Sequence, residues 1–321
     1  MSKTLIEVEN LQTWFPIKKG IMQKVVNHVK AVDGVSFNIK KGETLALVGE
    51  SGCGKTTVGK TLLKLISATG GSVKYEGQDI LGLNPAQMLK YRRKMQIIFQ
   101  DPANSMNPRM LVRDIIAEGM RSFKLVPENQ IKDRVGELLE KVELSPDVMM
   151  RYPHEFSGGQ RQRICIARAL AVNPDFIVCD EATSALDVSV QASILNLLKD
   201  LQKELNLTYL FITHDLSVVE YLSDRVAVMY LGEIVDEADT ETLFSNPKHP
   251  YTQALLNSAP SLDPDHRELI ALSGDIPSPI NPPDGCRFHG RCPKVMDRCK
   301  TEKVPLFELE NGCTRCFLYE K

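Results

Sequence analysis

The chain has 321 residues, of which 43% are apolar and 25% are charged, proportions that are ordinary for a globular protein and exclude disorder throughout. Its 39 basic and 41 acidic residues give a net charge of −2, so the sequence does not indicate the broad basic surface of a nucleic-acid-binding protein. No apolar run approaches the roughly 18 residues that predict a membrane-spanning helix, and residues 1–7 lack the apolar core of a signal peptide.

The first chemically informative segment follows a short apolar run. Residues 44–48 predict a buried strand, and they lead into Gly-Glu-Ser-Gly-Cys-Gly-Lys-Thr at 49–56 and a helical run from Thr57 to Ile66. In this phosphate-loop pattern, glycines let successive N–H groups face a phosphate chain, and the helix N-terminus adds partial positive charge. Lys55 is expected to reach the β- and γ-phosphates, and the Thr56 hydroxyl to bind Mg²⁺. The predicted nucleotide contacts here are Gly49, Ser51, Gly52, Cys53, Gly54, Lys55, Thr56 and Thr57.

Strand-like and helix-like segments alternate beyond this loop. Apolar runs at 96–99, 176–179 and 209–212 predict buried strands, and apolar residues repeat with helical spacing at 190–205. This alternation predicts an α/β fold with a parallel sheet. The mostly helical stretch from about 103 to 171 is interpreted as a helical subdomain inserted into that core.

A second glycine motif, Phe156-Ser157-Gly158-Gly159-Gln160, precedes an arginine-rich helical run. Its glycines would expose backbone donors to an anion, although an ordinary loop in which Ser157 caps the helix explains the same residues. Twenty residues later the pair Asp180-Glu181 ends a predicted strand. One carboxylate there can hold Mg²⁺ and the other can polarise a water, because adjacent residues at a strand end point in different directions. A helix cap is the structural alternative.

Six segments, in this order and spacing, resemble the ATP-binding subunit of an ABC transporter. The resemblance covers about residues 5–255 and implies a P-loop ABC ATPase core. The segments correspond to the Walker A motif at 49–56, the Q-loop at Gln100, the signature motif at 156–160, the Walker B motif at 176–181, the D-loop at 184–187 and the H-loop at His214.

The resemblance implies a role for each matching residue. Asp180, Thr56 and Gln100 would hold Mg²⁺, while Glu181, His214, Lys55 and Gln100 would carry phosphoryl transfer from ATP to water. Phe15 would stack on adenine, with Trp14 as the near alternative and simple strand packing as the ordinary explanation. Two such domains would pair head to tail, so that the signature motif of one completes the site of the other. The remaining predicted ATP contacts are Ser157, Gly158, Gly159, Gln160 and Asp187.

Further segments resemble the second, F-type ATPase subunit of dipeptide and oligopeptide importers. They lie at 31–37, 91–109, 246–252 and 274–293. The resemblance implies a motor subunit on the cytoplasmic face of the membrane, with two membrane-spanning permease subunits, a second ATPase subunit as heterodimer partner, an external substrate-binding protein acting indirectly, and no nucleic acid. Residues 1–258 would form the ABC domain. Residues 259–321 would form a Pro-rich connector and an irregular, cysteine-containing extension.

Five of the eight cysteines fall in the last 36 residues, at 286, 292, 299, 313 and 316. In a reducing compartment such a cluster suggests metal or cofactor binding before disulfides. Structural zinc usually requires two close cysteine pairs, and only Cys313 and Cys316 form one, whereas four thiolates on irregular loops suit an iron–sulfur cluster. The resemblance implies a [4Fe–4S] cluster on Cys286, Cys292, Cys299 and Cys316. Zinc, non-ligating thiols and a role for Cys313 in place of Cys316 stay open.

Three other functional classes compete with an importer motor. ABC ATPases of chromosome maintenance separate their Walker motifs by a long coiled coil, but here Thr56 and Phe156 are only 100 residues apart, and translation-factor relatives carry two cassettes rather than one. A P-loop kinase would not need the motif at 157–160. A nucleotide-binding pseudo-enzyme is disfavoured because Glu181 and His214 are present.

Overall fold

The computed structural model describes residues 3–258 and 274–320. Contacts within the chain divide it into two compact units. The first unit contains the described residues of 1–40, 44–81 and 213–321, and the second contains 41–43 and 82–212.

The predicted Pro-rich connector lies outside the described residues from 259 to 273. The described tail after it, residues 274–320, belongs to the same compact unit as the phosphate loop. The proposed division of the chain at 258/259 stays a prediction.

The first unit carries a four-stranded antiparallel sheet. Its strands are β1 (Thr4–Lys19), β2 (Lys24–Lys40), β4 (Gly70–Tyr75) and β5 (Gln78–Asp79), in the order β2–β1–β4–β5. The first part of β1 is apolar and buried, at Leu5, Ile6, Val8 and Leu11. Trp14 and Phe15, the aromatic residues considered for adenine stacking, lie farther along β1, where it pairs with β2.

A second group of strands in the first unit supports the phosphate loop. Strand β3 (Thr44–Val48) runs parallel to β9 (Arg225–Tyr230), which pairs antiparallel with β10 (Glu233–Asp239). All five residues of β3 are buried, as expected for an apolar run inside a sheet. The tail extends this group, because β12 (Gly312–Thr314) pairs with β10, and β11 (Phe307–Leu309) pairs with β12.

The described residues of the first unit also form four α-helices. They are α1 (Lys55–Leu62), α7 (Leu216–Leu222), α8 (Thr240–Ser245) and α9 (Pro250–Asn257). The helix predicted from Thr57 to Ile66 is wrong at its C-terminal end. Lys64 takes a φ of 53°, and the N–H of Leu65 returns to the carbonyl of Lys60, so the chain leaves the helix after Leu62 in a left-handed turn.

The second unit contains three parallel strands, β6 (Met95–Ile98), β7 (Phe176–Asp180) and β8 (Thr208–Ile212), with β7 between the other two. Helices α2 (Pro85–Lys94) and α6 (Val188–Leu205) belong to the same unit. The predicted α/β fold with buried parallel strands is confirmed. Strand β6 lies one residue earlier than predicted, so both Phe99 and Gln100 follow its last residue.

The chain between β6 and β7 is helical, as predicted. It forms α3 (Val112–Ser122), α4 (Ile131–Lys141) and α5 (Gly158–Leu170), joined by short 3-10 turns. Their apolar stripes are buried, for example Val135, Leu138 and Leu139 of α4. Among the described residues, no helix has the length and apolar character needed to cross a membrane.

Candidate functional site

The phosphate loop joins the buried strand β3 to α1 through three glycines with positive φ. Gly49, Gly52 and Gly54 have φ values of 149°, 81° and 110°, which residues with a Cβ rarely adopt. A Cβ on Gly54 would lie 2.1 Å from the backbone oxygen of Ala31, and a Cβ on Gly49 would lie 2.1 Å from that of Met229. Both positions therefore need glycine for conformation and for space.

The Lys55 ammonium is held by the loop itself. Its Nζ donates to the backbone oxygens of Gly49 at 2.7 Å and Glu50 at 3.1 Å, and the residue is only 5% exposed. Ser51 and Gly52 are exposed on the loop, while Thr56 and Thr57 are half-buried in the first turn of α1. This arrangement concentrates one fixed positive charge and a helix N-terminus at a glycine-rich turn, which suits a phosphate chain.

The thiol side chain of Cys53, in the middle of the loop, is buried. The residue is 4% exposed, and burial raises the pKa of its thiol. It therefore stays neutral at ordinary pH, and its predicted nucleotide contact would use the backbone N–H rather than the sulfur.

Glu50, the second residue of the loop, is held by the side chains of Tyr251 and Arg291. The sequence alone assigns neither of them a role at this site. The Glu50 N–H donates to the hydroxyl of Tyr251 at 2.9 Å, and the Glu50 carboxylate accepts two hydrogen bonds from Arg291, at 2.8 and 3.1 Å. The partners are separated from Glu50 by 201 and 241 positions. No local sequence pattern carries a signal over such a distance.

Trp14 and Phe15 of β1 pair with residues of β2 that lie next to the phosphate loop in sequence register. Trp14 pairs with Lys30, and Phe15 pairs with Val29. The next residue of β2, Ala31, has its carbonyl beside Gly54 of the loop. The Trp14 indole N–H donates to Asp33 at 3.1 Å, and the Lys30 ammonium lies 5.1 Å from its ring centre. Phe15 is 38% exposed, so the Phe15 ring is the more accessible of the two for stacking.

His214 lies just after a segment that borders β3. The Thr213 N–H donates to the carbonyl of Leu47, two residues before the phosphate loop. Asp215 caps α7 by accepting the Ser217 N–H at 3.0 Å, and His214 itself is exposed. The chain on either side of His214 is thus held in place, and the imidazole itself is exposed rather than packed in the core.

In the second unit the structure brings Gln100 and Glu181 together. Nε2 of Gln100 donates to Oε2 of Glu181 at 2.8 Å. Asp180 is the last residue of β7 and is 4% exposed, whereas Glu181 is half-buried. Glu181 also has a φ of 49°, which turns the chain sharply at the strand end and separates the directions of the two carboxylates.

The signature motif forms the N-terminus of α5. Ser157 Oγ accepts the Gln160 N–H at 3.3 Å, and the Ser157 N–H donates to Oε1 of Gln160 at 3.1 Å. This is a reciprocal helix cap, so the ordinary explanation for Ser157 is present in the structure. Ser157 and Gly158 are exposed, which leaves the beginning of a 13-residue helix facing outward.

Local structure also explains the residue types at Gly159 and Asp187. A Cβ on Gly159 would lie 2.3 Å from a methyl of Val190, so glycine permits the close approach of α5 and α6. Asp187 caps α6 by accepting the Val190 N–H at 3.0 Å. That backbone hydrogen bond holds the pKa of the exposed Asp187 carboxyl below its usual range.

Four of the tail cysteines line one small cavity in the first unit. They are Cys286, Cys292, Cys299 and Cys316, and Phe288, Val304 and Phe317 form much of the apolar remainder. Burial and the neighbouring thiols raise the pKa of Cys286 to about 12. Cys313 is not in this group, because it lies in β12 opposite Glu237 of β10 and lines a separate cavity.

The sulfur atoms are not arranged for a single metal ion. Within residues 3–258 and 274–320, no group of three or more histidine, cysteine or acidic side chains is placed to hold one. The cysteines thus share a cavity without forming the compact tetrahedron that zinc needs.

Two family models match this chain. One, described as ABC transporter, matches residues 32–184. The other, described as the C-terminal region of oligopeptide/dipeptide transporters, matches residues 235–299.

Curated relatives resemble the chain over almost its full length. The oligopeptide transport ATP-binding protein AppF of Bacillus subtilis is 51% identical, over 99% of this chain and 98% of that protein. The putative oligopeptide transport ATP-binding protein YkfD of the same organism is 53% identical, over 98% and 95%.

Solved structures share the fold. A dimeric ATP-binding cassette in a post-hydrolysis state, bound to ADP and Pi, has a TM-score of 0.65 at 29% identity, covering 74% of this chain and 99% of that chain. The protein cbiO1 of Clostridium perfringens, part of the ABC transporter complex cbiONQ, has a TM-score of 0.65 at 28% identity, covering 76% and 92%.

Proposed function

This chain belongs to the family of ABC-transporter ATP-binding proteins, ATPases that drive membrane transporters, and we propose that it is the motor subunit of a peptide importer. The observation that carries the peptide assignment is the similarity to oligopeptide transport ATP-binding proteins over nearly the whole chain, including the tail region matched by the oligopeptide/dipeptide transporter model. Closure of a head-to-tail ATPase dimer and hydrolysis of ATP would be coupled to uptake.

The phosphate loop binds the triphosphate. Backbone N–H groups of 49–57 would surround the β- and γ-phosphates, and Lys55 would add a positive charge. Thr56, Asp180 and Gln100 would hold Mg²⁺, which would neutralise charge on the phosphates. Phe15 stacks on the adenine ring. The buried Lys55 and the positive φ values of Gly49, Gly52 and Gly54 support this role, because they give the loop a defined conformation that carries a positive charge.

Glu181 polarises the attacking water and accepts its proton as the oxygen bonds to the γ-phosphorus and the bond to ADP breaks. Gln100 orients the Glu181 carboxylate, as its 2.8 Å hydrogen bond indicates. His214 contacts the γ-phosphate and the water. Catalysis is mainly positioning and charge stabilisation, because the metaphosphate-like transition state requires little covalent participation by the protein.

A second ATPase subunit completes the site. The exposed N-terminus of α5, with Ser157, Gly158, Gly159 and Gln160, meets the γ-phosphate held by the partner, and Asp187 lies at the same contact. The outward-facing helix start supports this, since backbone N–H groups there attract anions. We propose a heterodimer bound to two membrane-spanning permease subunits on the cytoplasmic face of the membrane, supplied by an external substrate-binding protein.

Reconstitution tests the assignment. The chain, its permease subunits, the second ATPase and the binding protein would be placed in liposomes, and ATP-dependent accumulation of a labelled tripeptide would be measured. Accumulation that disappears with Glu181→Gln supports a peptide importer. ATP hydrolysis without peptide accumulation, but with uptake of a nickel chelate or a sugar, would reject the peptide substrate and leave the motor assignment intact.

We further propose that Cys286, Cys292, Cys299 and Cys316 hold a [4Fe–4S] cluster. Their shared cavity supports it, and the position of Cys313 in β12, where it lines a separate cavity, favours Cys316 over Cys313 as the fourth ligand. Four cysteine thiolates on irregular loops are a ligand set that suits such a cluster. The cluster would link the segments of the tail that carry these four cysteines, and its role would be structural.

Iron analysis tests this second proposal. Anaerobically purified protein should contain about four iron and four sulfide per chain and show visible charge-transfer absorbance. Protein without iron and without that absorbance would end the proposal.

A further inference from the structure

We propose that Arg291 is a positioning residue for ATP binding, which holds the phosphate loop through Glu50 and makes the cysteine-containing tail part of the nucleotide-binding machinery. Arg291 is not proposed to contact ATP or any reacting atom. It contacts the phosphate loop, which is proposed to bind ATP. The inference rests on contacts within the first unit and does not depend on the transported substrate or on the iron–sulfur cluster.

The contact between Arg291 and Glu50 is a two-pronged ion pair. One guanidinium nitrogen lies 2.8 Å from Oε2 of Glu50 and the other lies 3.1 Å from Oε1. The Arg291 side chain is only 5% exposed and that of Glu50 is 23% exposed. Such a fork, shielded from water, fixes both the position and the orientation of the carboxylate more strongly than a surface ion pair would.

Arg291 is itself held in place by aromatic rings. Its guanidinium carbon lies 5.9 Å from the ring centre of Tyr230 and 6.0 Å from that of Phe288. These rings pack against each other at 5.3 Å and against Tyr251 at 4.7 and 5.4 Å. The Tyr251 hydroxyl also accepts the Glu50 N–H. The cluster therefore holds Glu50 twice, by its backbone through Tyr251 and by its carboxylate through Arg291.

Fixing Glu50 fixes the part of the loop that receives phosphate. Glu50 lies between Gly49 and Ser51, and its carbonyl accepts a hydrogen bond from the Lys55 ammonium at 3.1 Å. Its carboxylate would also repel the phosphates of ATP if it were unpaired. Arg291 therefore performs two tasks: it restrains the glycine-rich phosphate loop, and it neutralises an acidic side chain carried by that loop.

The experiment measures binding of MgATP to the full-length chain by calorimetry, together with KM and kcat of the reconstituted transporter. Arg291→Met should weaken ATP binding and raise KM about tenfold, with kcat changed less than about twofold. In the double variant with Glu50→Gln, most of the lost affinity should return, because the unpaired carboxylate is gone. Arg298→Met is the matched control, since Arg298 pairs with Glu302 and Glu320 in the same tail and should leave ATP affinity unchanged.

Three results would overturn the proposal. These are wild-type ATP affinity in Arg291→Met, no recovery on adding Glu50→Gln, or an equal loss in Arg298→Met. If Arg291→Met does not fold, Arg291→Lys replaces it. A lysine keeps the charge without the fork, so it should raise KM about threefold, and an unchanged KM in that variant would also overturn the proposal. Thermal unfolding without nucleotide, measured for each variant, separates a change in ATP affinity from a loss of folded protein.

Discussion

Nε2 of Gln100 lies 2.8 Å from Oε2 of Glu181 and donates a hydrogen bond to it. The contact follows from strand register, because β6 and β7 run parallel with Ile98 opposite Cys179. The chain leaves both strands at the same edge of the sheet. Gln100 lies two residues after Ile98 and Glu181 two residues after Cys179, so the two side chains meet there. Gln100, which is proposed to hold Mg²⁺, thus orients Glu181, which is proposed to polarise the attacking water.

Replacing Glu181 by glutamine should preserve ATP binding and slow hydrolysis by at least about a hundredfold. The amide keeps the size of the side chain but cannot accept a proton from water. ATP turnover and MgATP affinity of the variant would be compared with those of Glu220→Gln, an exposed glutamate on α7. Unchanged turnover in Glu181→Gln would exclude Glu181 as the polarising carboxylate.

Gln100→Ala should lower kcat about tenfold while changing ATP affinity less. The variant removes the donor that orients Glu181 but leaves the phosphate loop intact. Steady-state kinetics would be measured beside Gln130→Ala, which alters an exposed glutamine of the same unit. If both variants retain wild-type kcat, the hydrogen bond in the structure has no catalytic consequence.

The two glycines at 52 and 54 should respond differently to alanine. At Gly54 a methyl group meets the Ala31 carbonyl at 2.1 Å, so Gly54→Ala should lower the free energy of unfolding by about 3 kcal/mol. Gly52 has a positive φ but nothing within 4 Å of its Cβ position, and Gly52→Ala should cost about 1 kcal/mol. Urea denaturation of both variants checks the order, and equal values would contradict the packing described for the loop.

Cysteine variants should separate ligands from bystanders. Cys292→Ser removes a thiol from the shared cavity and should abolish bound iron, whereas Cys313→Ser changes a residue paired in β12 and should retain it. Iron content and visible absorbance of anaerobically purified protein give the result. Iron retained in Cys292→Ser and lost in Cys313→Ser would reverse the ligand assignment.

The sequence predicts the parts of this protein that depend on local pattern. The buried strand at 44–48, the helical insertion and the cap at Ser157 all follow from spacing, propensity and glycine content. The hydrogen bond between Gln100 and Glu181 is not among these predictions, because it depends on the register of β6 against β7. Arg291 and Tyr251 could not be found in this way, because each is separated from Glu50 by more than 200 positions and meets it only in the folded chain. The early end of α1 was missed because the left-handed turn at Lys64 has no glycine to mark it.

A structure of the complete transporter carrying Glu181→Gln, trapped with MgATP, would show whether two abutting ATPase subunits share each ATP. We expect Ser157 Oγ to lie about 3 Å from the γ-phosphate of ATP bound to the neighbouring subunit, with Gly159 N–H directed at the same oxygen atoms. A nucleotide-loaded assembly in which Ser157 is remote from every γ-phosphate would show that the subunits do not share the nucleotide.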